Sequence, residues 1–148
     1  MMMKEHIRIS LLKNPLTFSI IRFIIKKMIT DVKEAEKFSF SPLSSILGMR
    51  LTQIREEISA LLSILKKIQP QYILEIGTGS GGTFFLFTRV AESNAILITI
   101  DLPGGPFGGG YPEWKIPLFK SFARGDQKIY LIRLTPITLR HLTKLGEF

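Results

Sequence analysis

Residues 75–82 read Glu75-Ile76-Gly77-Thr78-Gly79-Ser80-Gly81-Gly82, and what flanks them decides the fold. On one side lies Tyr72–Ile76, YILEI, a short, β-prone and mostly apolar run suited to a buried parallel strand. On the other lies Gly82–Ala91, where Phe84, Phe87 and Val90 or Ala91 are spaced to turn one helical face toward a sheet. Gly77, Gly79 and Gly82 satisfy G-x-G-x-x-G between a strand and a helix. In such a turn the first glycine permits the tight bend and the second leaves room for a ligand against the backbone. The third lets the helix pack closely. The free amides at the helix start suit a polar or anionic ligand group.

Downstream, Ala95–Ile100 (AILITI) reads as a second buried strand, which completes one βαβ unit. Asp101 follows, 24 residues after Gly77. In this topology that position lies beside the glycine turn, where a carboxylate can accept both hydroxyl hydrogens of a ribose. The plainer alternative is that Asp101 ends a strand and starts a turn. Leu102–Pro112 holds five glycines and three prolines in eleven residues, too many for a regular strand or helix. A short helix is predicted over Ile116–Ala123 and a third strand over Lys128–Arg133. The fold class expected is α/β and Rossmann-like, with helices and about three parallel strands.

Upstream, Met49–Ile68 reads as the clearest helix, with Leu51, Ile54, Ile58, Leu61, Leu62, Leu65 and Ile68 at helical spacing and a stop at Gln69–Pro70. An earlier helix over Leu16–Val32 would put Phe18, Ile21, Ile25 and Met28 on one face, and Ser39–Ser45 is turn-like around Pro42. Three segments are expected: a helical extension at 1–45, the cofactor-binding part at 46–133 and a divergent tail at 134–148.

The 148-residue chain has a globular composition, no cysteine and a formal net charge of +8. Without cysteine there are no disulfides or thiolate metal sites, which fits a reducing cytoplasm. Residues 1–68 hold twelve Lys or Arg against six acids; residues 69–148 hold eight against six. The basic half leaves open a solvated surface, a nucleic-acid face or peripheral contact with a membrane. No nucleic-acid motif is present. Leu16–Ile29, 14 residues interrupted by Arg22, Lys26 and Lys27, is too short to span a bilayer, which takes about 20 apolar residues.

Glu75 narrows the ligand. An acid at the end of a buried strand is expensive without a positive or hydrogen-bonding partner. A ligand with a cationic amino group and no phosphate suits it better than a dinucleotide; loop amides satisfying a structural carboxylate are the alternative. EIGTGSGG resembles the first motif of class I S-adenosylmethionine-dependent methyltransferases. The longer run from SPLSSILGMRLTQIREEISALL through ITIDLPGGPFGGGYPEWKIPLFKSFA is similar, more narrowly, to the group that includes cephalosporin hydroxylase and rhamnosyl O-methyltransferase. This likeness covers about residues 41–133.

The resemblance implies a methyltransferase fold, S-adenosyl-L-methionine as cofactor and O-methylation of a small-molecule or sugar hydroxyl. It implies that Glu75, Gly77 and Gly79 surround the methionine part of the cofactor and that Asp101 binds its ribose. Thr78, Ser80 and Gly81 fall within the same cofactor-binding turn, and Gly104–Tyr111 resembles a loop near the entrance. In several relatives a divalent metal activates the acceptor through acids after a fourth strand. Nothing after Arg133 matches that region: the tail offers only Glu147 and His141, so no metal site is assigned. More strands are expected of a complete domain, and this chain is read as its N-terminal part, inactive alone unless a homo-oligomer or complementing chain restores the crevice. No catalytic residue is assigned; Glu113 and Asp126 are available acids, and Tyr111 and Trp114 would either line a substrate pocket or simply pack. The competing readings are an NAD-dependent oxidoreductase fragment and a basic nucleic-acid or membrane-surface module.

Overall fold

The computed structural model describes residues 9–10, 12–103 and 109–134. Most of the Gly104–Tyr111 loop and the tail with His141 and Glu147 therefore lie outside the described residues. Helix α1 (Pro15–Phe23) starts where Asn14 accepts the amides of Leu16 and Thr17 at 3.0 and 3.3 Å, with Pro15 in the first turn. The expected single helix over Leu16–Val32 is broken. Past Phe23 the backbone widens into one π turn, Ile24–Met28, and a second helix, α2 (Val32–Ser39), starts from the Asp31 cap. Around Pro42 the expected turn is a short helix, α3 (Pro42–Ile46), capped by Ser41.

The cause of the break is Arg89, 3% exposed on a later helix. Its Nε donates to the Ile29 carbonyl at 2.8 Å and its Nη2 to that of Ile25 at 3.0 Å. Its Nη1 donates to the Phe122 carbonyl at 2.7 Å and to Thr88 Oγ1 at 2.8 Å. The guanidinium also lies 4.4 Å over the Phe85 ring. Carbonyls that would continue the helix are satisfied by a side chain instead, so the helix can stop inside the protein.

Helix α4 (Arg55–Ile68) starts six residues later than the periodicity predicts. Met49 and Leu51 are buried, but in a non-helical segment that passes the glycine turn. A Cβ on Gly82 would lie 2.9 Å from the Met49 carbonyl oxygen and 3.0 Å from that of Arg50. The third glycine therefore makes room for this segment, whereas close packing of helix on strand was expected. Gln69 ends α4 in the left-handed region, before Pro70.

Strand β1 (Tyr72–Ile76) leads through the glycine turn into α5 (Gly82–Val90) and then β2 (Ile96–Asp101). A 3-10 turn (Glu113–Lys115) continues as α6 (Ile116–Lys120) and returns the chain to β3 (Lys128–Arg133). The three strands form one parallel sheet in the order β1-β2-β3. The fold is mixed α/β with a Rossmann-like topology. Leu97 and Thr99 are buried on one sheet face; on the other, Tyr72, Leu74, Ile76 and Tyr130 are exposed. Helix α5 packs against α2 and α4 and is buried almost all round, Phe85 and Leu86 as fully as Phe84. Of the stripe expected to face the sheet, Phe84, Val90 and Ala91 are buried and Phe87 is half-buried.

Replacing Arg89 by methionine keeps much of the volume but strips three buried carbonyls of their donor, each at roughly 1–3 kcal/mol when left unsatisfied. We expect Arg89→Met to lower the unfolding free energy by about 3 kcal/mol or more, read from urea denaturation. A loss below about 1 kcal/mol would show that the carbonyls find other partners.

Candidate functional site

The parallel register brings the carboxyl ends of all three strands to one edge: the glycine turn after β1, Asp101 on β2 and Arg133 on β3. Gly77 and Gly79 both lie in the left-handed region, at φ +87° and +51°, which favours glycine. The Gly77 amide donates to the Ile100 carbonyl at 2.8 Å and closes the turn onto β2. A Cβ at either glycine would meet no atom within 4 Å. The turn thus presents open backbone at the positions where a ligand is expected to approach.

Asp101 reaches across to this turn. Its Oδ2 accepts the Gly79 amide at 2.6 Å, and its Oδ1 accepts the Leu102 amide at 2.7 Å. It therefore ends its strand and braces the turn, the plainer role, while each oxygen keeps further acceptor capacity.

Glu75 sits level with Thr99 on the covered face of the sheet and is buried. Its Oε2 has no hydrogen-bond partner. Burial pushes its carboxyl up to about 7; the nearby Asp101 carboxylate adds to the rise, and the Thr99 hydroxyl opposes it. Two acids thus meet beside open backbone, one of them with an oxygen unsatisfied.

The other three residues of the turn are engaged within the protein. The buried Thr78 hydroxyl meets that of Thr99. Ser80 Oγ donates to the Arg50 carbonyl. Gly81 is pressed against the Phe119 ring, which stands where a Cβ would have to go. A cleft of about 360 Å³ opens on the Ser80 side, lined also by Ser45, Gly48, Arg50 and Lys115. The turn is flanked by cations on that side and by acids on the other.

Tyr111 is buried, 4.8 Å from Phe119 between ring centroids, and its hydroxyl has no hydrogen-bond partner. Burial raises its pKa; Arg133, 5.7 Å from the ring centre, opposes the rise and Asp101 adds to it. Glu113 is exposed and pairs with Arg133 at 3.4 Å. Trp114 is half-buried, with Lys115 Nζ 5.8 Å from its ring centre. Asp126 lies at the opposite, amino-terminal edge of the sheet, where its amide bonds Ser93. Thr99 and Arg133 were missed in the sequence because nothing in a strand's composition reveals its register partner. Among the described residues no three His, Asp or Glu side chains are grouped to hold a metal ion. Neither the protein-family models nor the curated proteins compared with this chain give a match.

A carboxyl whose folded value lies above its unfolded one contributes stability that is intact below the unfolded value. That contribution is lost as pH rises through the folded value. For Glu75 the window runs from about 4.5 to about 7. Glu75→Gln removes this titration, so the variant should gain on the parent as pH rises, by up to about 3 kcal/mol near pH 8. Urea denaturation of both proteins from about pH 5 to pH 8 measures the difference; a constant gap would mean that Glu75 ionises normally.

Proposed function

We propose that the glycine turn binds S-adenosylmethionine and that the chain carries the cofactor-binding part of a methyltransferase acting on a small-molecule or sugar hydroxyl. The observation that carries the reading is Glu75: a buried carboxylate with an unpartnered oxygen, beside Asp101 and the open backbone at Gly77 and Gly79. A cationic amino group would satisfy the orphaned oxygen and relieve the repulsion between the two acids. A pyrophosphate would bring more negative charge to the same place, which weighs against a dinucleotide.

The residues present fit this cofactor. Glu75 would hold the amino group, Asp101 would accept the ribose hydroxyls with its remaining lone pairs, and Gly77 and Gly79 would let the ligand lie against the main chain. When bound, the cofactor supplies an electrophilic methyl carbon on a sulfonium. The protein then has to hold the acceptor oxygen in line with that carbon, and displacement by about 1 Å costs around a hundredfold in rate. No proton acceptor for the hydroxyl is assigned. Among the described residues no three acids or histidines are grouped for the metal implied by the resemblance, so no step is derived through one.

Asp101→Asn keeps an amide-accepting oxygen at the turn but loses charge. We expect it to weaken S-adenosylhomocysteine binding by about 1.5–3 kcal/mol, measured by titration calorimetry. Unchanged affinity in a folded variant would remove Asp101 from the ribose site, and NAD binding without S-adenosylhomocysteine binding would overturn the reading as a whole.

Gly79→Val tests the close approach of ligand and backbone. Valine at φ +51° costs roughly 1–2 kcal/mol in strain, and its side chain would enter the open space. Binding should fall by more than about tenfold with the circular dichroism spectrum retained; parent-like affinity would place the ligand elsewhere.

A further inference from the structure

Helix α1 is apolar on both of its long faces. Ile21 and Ile25, just past its end, are buried against the domain, and Phe18 is half-buried. On the opposite face Leu16, Ile20 and Phe23 recur at i, i+4 and i+7, and they are 73%, 52% and 60% exposed. Met28, the last residue of the π turn, is 63% exposed. A helix that is apolar all round is normally enclosed. This outer stripe is open to solvent.

The stripe is bordered by cations. Arg22, Lys26 and Lys27, together with Ser19 and Phe23, line a cleft of about 220 Å³. No Asp or Glu occurs between His6 and Thr30. Among the described residues none of these three cations forms an ion pair, and like charges spaced as Arg22 and Lys26 repel on a helix. The surface offers apolar side chains for insertion and, next to them, cations lacking a counter-charge.

We propose that this face is a peripheral membrane contact. Helix α1 lies in the headgroup region of an anionic bilayer, with Leu16, Ile20 and Phe23 immersed and Arg22, Lys26 and Lys27 holding lipid phosphates. An anionic bilayer uses both halves of the surface. A nucleic acid would take the cations and gain nothing from the apolar stripe, and a zwitterionic surface would take only the stripe. The contact is superficial: no helix among the described residues is long and apolar enough to cross a membrane.

Co-sedimentation of the full chain with vesicles tests this. Binding should be strong to an equal mixture of phosphatidylcholine and phosphatidylglycerol and at least about tenfold weaker to phosphatidylcholine alone. Removing both lysines (Lys26→Ala with Lys27→Ala) should weaken it by about twenty-five-fold, at about fivefold for each cation. The pair Ile20→Ser and Phe23→Ser should weaken it by more than about tenfold. Both positions are more than half exposed, so the urea midpoint should not move. As the chain has no cysteine, Ile20→Cys provides a single labelling site. An environment-sensitive dye there should shift to the blue on mixed vesicles, whereas the same dye at Lys33→Cys on α2 should not. Absence of binding to mixed vesicles would overturn the proposal. So would parent-like binding by the serine pair, which would reduce the effect to attraction by net charge. Self-association lost in the serine pair, with no blue shift at Ile20→Cys, would assign the face to a second copy and overturn it too.

Discussion

The guanidinium of Arg89 is where the N-terminal helices and the βαβ core meet. Four hydrogen bonds reach the π turn at Ile25, the chain before α2 at Ile29, the neighbouring Thr88 and the end of the α6 region at Phe122. A charge taken out of water is tolerable only when its donors are satisfied, and here backbone carbonyls do most of this. Burial, with Arg124 nearby, lowers its pKa to about 10, so the group remains charged at neutral pH. The consequence reaches the site. Helix α5 begins at the glycine turn and carries Arg89 near its far end, so fixing that end also fixes the direction in which the turn presents its amides.

The turn itself is held from one side. Strand β1 is an edge of the described sheet, and Ile76, just before Gly77, is 80% exposed. The bracing comes from β2, through Ile100, Thr99 and Asp101, and from the non-helical chain before α4, through the Arg50 carbonyl. The two closed glycines, Gly81 and Gly82, admit Phe119 and that segment, while the two open ones face solvent. Four glycines in six residues thus do two jobs. One pair allows the protein to press in from behind, and the other leaves the front clear.

This division explains what could be read from the sequence. The strands were legible because a parallel sheet demands short β-branched runs, and β1 and β3 start and stop where expected, at Tyr72–Ile76 and Lys128–Arg133. The placement of Asp101 beside the glycine turn followed from topology alone. The helix ends upstream were not legible. Ile25 continues the buried apolar period of α1 beyond its end, whereas Met28, expected on the same face, is exposed; the break is made by Arg89, sixty and more positions away. Leu51 keeps helical spacing with Ile54 and Ile58 but lies in a segment that is not helical, whose backbone passes close to Gly82. Thr78 and Ser80 looked like ligand contacts by position, but their hydroxyls serve the turn.

The electrostatic character of the site follows from one awkward residue. A neutral glutamine at position 75 would satisfy the same sheet geometry without a titrating group, so the strand does not require the acid. The acid nevertheless lies where burial, and then Asp101, oppose its ionisation, and where Oε2 finds no donor. Within the protein the Thr99 hydroxyl is shared with Thr78, and the Gly79 amide is committed to Asp101. A donor from outside would offset the cost of burying the acid, and a cationic one would offset most because it also screens the two acids from each other. Under the proposed function, selectivity would have a physical basis: the acid pair favours a ligand that brings positive charge rather than phosphate to the turn.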